Sequence, residues 1–235
     1  MSLPKLVRPE YNTTLPSSGK KIRYQPFTVK EEKILILAAE GKDPEEITNA
    51  VRNTLDNCIS HPSDVDVESL ALFDIEYLFL KARSKSAGES IKLQVQDPND
   101  LDFVTEHEIN IDKIGVKKTK GHTDLIDIDE TTKVKMKYPD LSFFNDGVDV
   151  SNVASASKSI ARCVSQILID DEVYNRNEMS DEEVEEWVEG LTSKDFQKLI
   201  QFFVTMPKLS HSMTIKNTNS GKNFTIQLEG LADFF

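Results

Sequence analysis

"DIEYLFLKARSKSAGES", residues 74–90, decides how the chain folds. Ile75, Tyr77, Leu78, Phe79 and Leu80 crowd large apolar and aromatic side chains into under two helical turns, and Lys81, Arg83 and Lys85 follow at alternate positions. The spacing predicts a helix over Val67–Lys85. Leu70, Phe73, Tyr77 and Leu80 share one face, and Ala71, Ile75 and Leu78 share another. A helix that is apolar on most sides is surrounded by protein. Cations in a last turn suit the negative end of the helix dipole, and Gly88 supplies an exit. The stretch therefore reads as a buried helix with a basic ending, not as a catalytic cluster. Asp74 and Glu76 are expected to pair with Lys81 or with basic residues near the N-terminus.

Before this helix, "YNTTL" and "IRYQPF" flank the turn-rich "PSSGKK" and predict a hairpin. Thr28–Glu31 fits a capping box, so a helix carrying "ILILAA" starts there and stops near Gly41. Asp43-Pro44-Glu45-Glu46 opens a second helix, with Ile47, Val51, Leu55, Cys58 and Ile59 at helical spacing.

Beyond Ser90 the period changes to two. "IKLQV", "EINID", "LIDID" and "VKMKY" alternate and predict a small antiparallel sheet. A helix is then expected with Ile160, Val164, Ile167 and Leu168 on one side. Ser180–Glu183 is another capping box and opens an acidic helix with Val184, Trp187, Val188 and Leu191 inward. A last helix starts at Thr192 or Ser193, points Phe196, Leu199, Ile200 and Phe203 inward, and ends at Pro207. "MTIKN" and "FTIQL" close the chain as a hairpin. The fold class is α+β. Three regions are expected: 1–90, hairpin plus helices; 91–139, a small antiparallel β subdomain; and 140–235, helical with the terminal hairpin, which can form one compact unit with 1–90.

With 28 basic and 40 acidic residues among 235, the net charge is −12, which argues against a general nucleic-acid or anionic-membrane binder. The charge is uneven: residues 1–33 carry +4 and residues 170–190 carry −9. No apolar run is long enough to span a bilayer, and "MSLPKLVRPE" has no apolar core of a secretory signal. Cys58 and Cys163 form no motif and fit buried thiols in a reducing compartment.

Reactive constellations are missing. His61, His107, His122 and His211 are scattered and read as surface or turn residues, without metal-ligand spacing. "DPNDLDFVTEHE" resembles a calcium loop at Asp97, Asn99 and Glu108, but Leu101 and Asp102 stand where a ligand and the turn glycine belong. "SSGKK" and "NSGKN" lack the spacing of a phosphate loop. No catalytic, cofactor-binding or metal residue is expected. Terminal hairpins, capped helices and no reactive group describe an interaction module better than an enzyme.

Five segments resemble one family: "LPSSGKKIRYQPFTVKEEKILILAAEG" (15–41), residues 74–90, "MKYP" (136–139), "LIQFFVTMPKL" (199–209) and "LEGLADFF" (228–235). They are similar to the baseplate hub subunit, or hub assembly protein, of T-even-type contractile-tailed bacteriophages. The resemblance implies a structural or chaperone-like role in the baseplate hub. The implied partners are other hub or tail proteins, with no nucleic acid, membrane or small-molecule substrate and no cofactor. The implied location is the host cytoplasm during assembly, or the tail baseplate of the virion. Some relatives carry a Cys-x-x-Cys pair in the terminal hairpin; Asn217-Thr218-Asn219-Ser220 stands there here, and these groups are poor zinc ligands. Candidate partner-binding residues are Arg23, Lys30, Arg83, Lys85, Trp187, Leu231, Phe234 and Phe235. Two alternatives stay open: a baseplate-associated hydrolase with a carboxylate-based site, and a nucleic-acid-associated protein using the basic segment from Arg8 to Lys33.

Overall fold

A computed structural model describes residues 7–41, 43–60, 65–143 and 147–230. In chain order the elements are β1 (Tyr11–Thr14), β2 (Lys21–Tyr24), α1 (Val29–Gly41), α2 (Pro44–Cys58), α3 (Leu72–Ala87), β3 (Ser90–Asp97), β4 (Asp100–Asn110) and β5 (Gly115–Lys117). Then follow β6 (Leu125–Asp127), β7 (Thr132–Met136), α4 (Val153–Cys163), β8 (Val164–Ile169), β9 (Glu172–Asn175), α5 (Asp181–Glu189), α6 (Ser193–Thr205), β10 (Lys208–Lys216) and β11 (Asn223–Glu229). The fold is α+β with a hairpin near each end. It divides into two compact units, residues 1–117 with 208–235, and residues 118–207. Of the strands within 91–139, β3, β4 and β5 lie in the first unit and β6 and β7 in the second. Alternation at a period of two shows that a strand has one wet face, but not which sheet it joins.

In the first unit, β1 and β2 pair from Tyr11↔Tyr24 to Thr14↔Lys21. Gly19, at φ 72°, closes the turn by donating to the Leu15 carbonyl at 2.9 Å. Asp74, fully buried on α3, accepts from the Ser17 backbone N–H at 3.0 Å and from its hydroxyl. Asp74 therefore holds the hairpin turn. Asp43 caps α2 through the backbone N–H groups of Glu45 and Glu46, and Pro44 sits in the first turn, where its missing N–H costs nothing.

The third helix starts later than its spacing suggests. Asp66 caps a single 3-10 turn at Val67–Ser69, and Leu70 and Ala71 run extended before Leu72. Both extended residues are buried, so they continue an apolar pattern that reads as helix. From Leu72 onward α3 is as expected, with Gly88 leaving at φ 111°. Leu80 packs among Val95 of β3, Phe103 and Ile109 of β4, and Leu209, Met213 and Ile215 of β10. β3 pairs with β4, while β10 lies between β11 and β5. The turn after β10 is tied to the β3–β4 turn by Asn217, whose amide donates to Asp97 at 2.8 Å and to Asp100 at 3.1 Å.

The second unit has one antiparallel sheet of order β6-β7-β8-β9. Its core joins Val134 and Met136 of β7, Val164 and Ile167 of β8, Ile160 of α4, Val184 and Val188 of α5, and Leu199, Phe202 and Phe203 of α6. The helix expected to continue through Leu168 stops at Cys163, and the chain enters β8 directly. Ile160, Val164 and Ile167 satisfy helical spacing. "VSQILI", however, pairs with β7 on one side and β9 on the other, and ladder bonding and β-branched packing prevail. Ser180 and Glu183 form the expected capping box of α5, and Thr192 caps α6.

Candidate interaction surface

α1 is built the wrong way round for a helix that only stabilises its own protein. Thr28 starts it: its backbone N–H donates to the Glu31 carboxylate at 2.6 Å, and its hydroxyl bonds the same oxygen. Glu31 is buried; burial pushes its carboxyl up, and the Thr28 bonds outweigh that and hold it below the usual carboxylate range. The inward stripe is Glu31, Leu35 and Ala38. The outward face carries Val29, Lys33, Ile36 and Leu37 at i, i+4, i+7 and i+8. Val29 is 66% exposed, Ile36 50%, Leu37 65% and the flanking Ile34 43%. Val7, exposed too, precedes Arg8, whose guanidinium donates to the Pro26 carbonyl at the entry to α1. Lone exposed apolar residues need no explanation, but a contiguous set on one helix marks a contact surface.

The basic exit of α3 is occupied by the protein itself. Lys81 donates to the Asp112 carbonyl and sits 3.6 Å from its carboxylate, while Lys85 reaches Asp112 at 3.2 Å and Glu89 at 2.5 Å. The Ser84 hydroxyl donates to the same carboxylate at 3.0 Å. Burial pushes the Asp112 carboxyl up, but the hydrogen bonds from Lys85 and Ser84 and the two ammonium charges hold it below its ordinary range. Lys85 also lies over the Tyr11 ring, 5.6 Å from its centroid. The run is therefore a clamp on one carboxylate, in addition to any dipole effect. Burial lowers the Arg83 guanidinium from its ordinary value, with Glu32 opposing the shift.

The other expected partner residues are dispersed. Arg23 is exposed on β2, 3.7 Å from Glu10. Lys30 is exposed at the start of α1. Trp187 is half-buried on α5 in the second unit. Leu231, Phe234 and Phe235 lie outside the described residues, as does His61. Among the histidines, His122 departs from a surface reading. Its ring nitrogens face the Thr205 hydroxyl at 2.9 Å and the Tyr138 hydroxyl at 3.1 Å, and it stacks on Tyr138 and against Phe202. Burial holds its imidazole below the ordinary value.

No group of three or more His, Cys, Asp or Glu side chains among the described residues could hold a metal ion. At the turn after β10, the Asn217 side-chain carbonyl accepts from the N–H groups of Asn219 at 2.8 Å and Ser220 at 3.0 Å. The adjoining Asp97 is held below the usual carboxylate range by the Asn217 amide. The would-be calcium ligands Asp97 and Asn99 instead shape the β3–β4 turn, where Asp97 accepts from the Asn99 N–H at 2.9 Å.

The family model described as "T4 bacteriophage base plate protein" matches residues 8–235, nearly the whole chain. The chain belongs to this family of phage baseplate proteins. No curated protein and no solved structure matches it. The matched span includes both the outward face of α1 and the acidic α5. Among the described residues, no helix is long and apolar enough to cross a membrane.

The α1 surface was missed by sequence reading because "ILILAA" is apolar whichever way the helix turns.

Proposed function

We propose that this baseplate protein is a non-enzymatic subunit or assembly factor of the central hub, and that it acts by docking the outward face of α1 onto another hub or tail protein. The observation that carries the reading is the inversion of α1: a carboxylate lies in its inward stripe, while Val29, Ile36 and Leu37 face water. Fully burying such side chains stabilises by roughly 1.5–3 kcal/mol each, and at 50–66% exposure about half or more of that driving force is unused. The resemblance of 15–41 to hub proteins, which covers this helix, supports the same choice.

Mass spectrometry of purified particles and of assembly intermediates from one infection tests it, comparing the native chain with Ile36→Asp/Leu37→Asp. Native chain in particles, with identified hub proteins bound, makes it a subunit; native chain only in intermediates makes it a chaperone-like factor. In either case the variant should fold but be lost from the complex. Native chain in neither fraction, or undiminished retention of the variant, overturns the reading.

A further inference from the structure

The second unit carries a groove of about 310 Å³ between its sheet and α5. Its floor is Ile167 and Ile169 of β8, and its walls are Tyr174, Met179 and Trp187. It opens beside β9, the last strand of the sheet, on whose outer side no described strand pairs. The rim is negative. Glu178 and Glu183 line the groove, and Glu172 accepts a hydrogen bond from the Tyr174 hydroxyl.

The two lining carboxylates are held in place by separate caps. Glu178 accepts from the Asn175 backbone N–H at 3.1 Å, and Glu183 accepts from the Ser180 backbone N–H at 2.8 Å. Each uses Oε2, which leaves each Oε1 without a hydrogen-bond partner among the described residues. Across 170–190 the only basic residue is Arg176, and its guanidinium is committed to Asp181 and to the Met179 carbonyl. An apolar floor, an indole wall and two fixed carboxylates, with the one basic residue of 170–190 engaged elsewhere, are complementary to a long side chain with an apolar stem and a cationic head.

We propose that this groove binds a basic, apolar segment of a partner protein, with an Arg or Lys stem lying against Trp187 and its head between Glu178 and Glu183. A cation near an indole face adds attraction beyond the ion pairs, and more so as water is excluded. The proposal rests on the interaction role argued above but uses a different surface from α1.

Trp187 is the only tryptophan, so its fluorescence reports on the groove alone. The full chain is titrated with two synthetic peptides, acetyl-LRLRLR-amide and acetyl-LELELE-amide. The expected result is a saturable change in emission with the arginine peptide only, weakened by salt. In Glu178→Gln/Glu183→Gln, binding should fall at least tenfold and lose most of its salt dependence. Gln still accepts the capping bond, so the local fold is kept while the charge is removed; circular dichroism confirms folding. Equal response to both peptides, no saturation, or undiminished binding by the double variant overturns the proposal. A native chain that enters particles while the peptide titration fails would refute the groove and leave the hub reading standing. A saturating titration with a chain absent from particles and intermediates would do the opposite.

Discussion

Leu37 and Leu80 are the same residue type in two of the most apolar stretches of the chain, and they should respond oppositely to truncation. Leu80 is 0% exposed and packed between α3 and strands of two of the first unit's sheets, β3-β4 and β11-β10-β5. Leu80→Ala removes a branched group equivalent to three buried carbons, a transfer loss of about 2.4 kcal/mol at ~0.8 kcal/mol each. The unfilled volume adds to this, within the usual range of about 2–5 kcal/mol. Leu37 is 65% exposed, so about a third of the same transfer loss, or ~0.8 kcal/mol, is the ceiling for Leu37→Ala. Urea denaturation of the isolated protein measures both: the midpoint should fall sharply for Leu80→Ala and barely for Leu37→Ala, with unchanged slope. In capture of identified hub proteins, Leu37→Ala should weaken binding, while Leu80→Ala should act only through loss of folded protein. If Leu37→Ala costs as much as Leu80→Ala in the isolated chain, the α1 face is already covered and the docking argument fails. If Leu80→Ala costs under about 1 kcal/mol, α3 is not the centre of its unit.

Asp112→Asn removes the charge that Lys81 and Lys85 share. Because the native carboxyl titrates below its unfolded value, its contribution is present above about pH 4 and is lost as pH falls through the native value, so the acid limb of a stability–pH curve should be shallower in the variant. His122 shifts the same way for a different reason: its neutral form is the one buried, so the unfolded chain takes up more protons as pH falls below about 6.5, and stability should drop there. His122→Asn should flatten that part of the curve in chemical denaturation at stepped pH; an unchanged slope would show that the ring is solvated. Cys58 and Cys163, whose thiols burial pushes up to about 12, should react with an aromatic disulfide reagent only as the protein unfolds, and prompt native-state colour would place at least one at the surface.

What was legible in the sequence was local. The Ser180–Glu183 box, the Asp43-Pro44 start and the terminal hairpin are each specified by residues a few positions apart, and each is present. The basic ending of α3 was legible as a helix end but not as a clamp, because Asp112 lies 31 residues from Lys81 and 28 from Ser84. No spacing rule links them. The start of β8 reads as helix because Ile160, Val164 and Ile167 keep helical spacing, and the choice is made by β7 and β9, which pair on either side of it. The same limit explains both candidate surfaces. "ILILAA" is apolar around its whole circumference, so the packing of α1 within the fold, against α2 among other elements, decides which side meets water. Trp187 was expected both inside α5 and at a partner, and it is half-buried on α5. Its groove needs β8 and β9, whose pairing no local spacing reveals. In both cases the hydrophobic pattern shows that a side chain must be covered, and the identity of the cover is set by contacts remote in sequence or supplied by another chain. A protein that docks partners through such faces, as proposed above, would keep some of that pattern uncovered when alone.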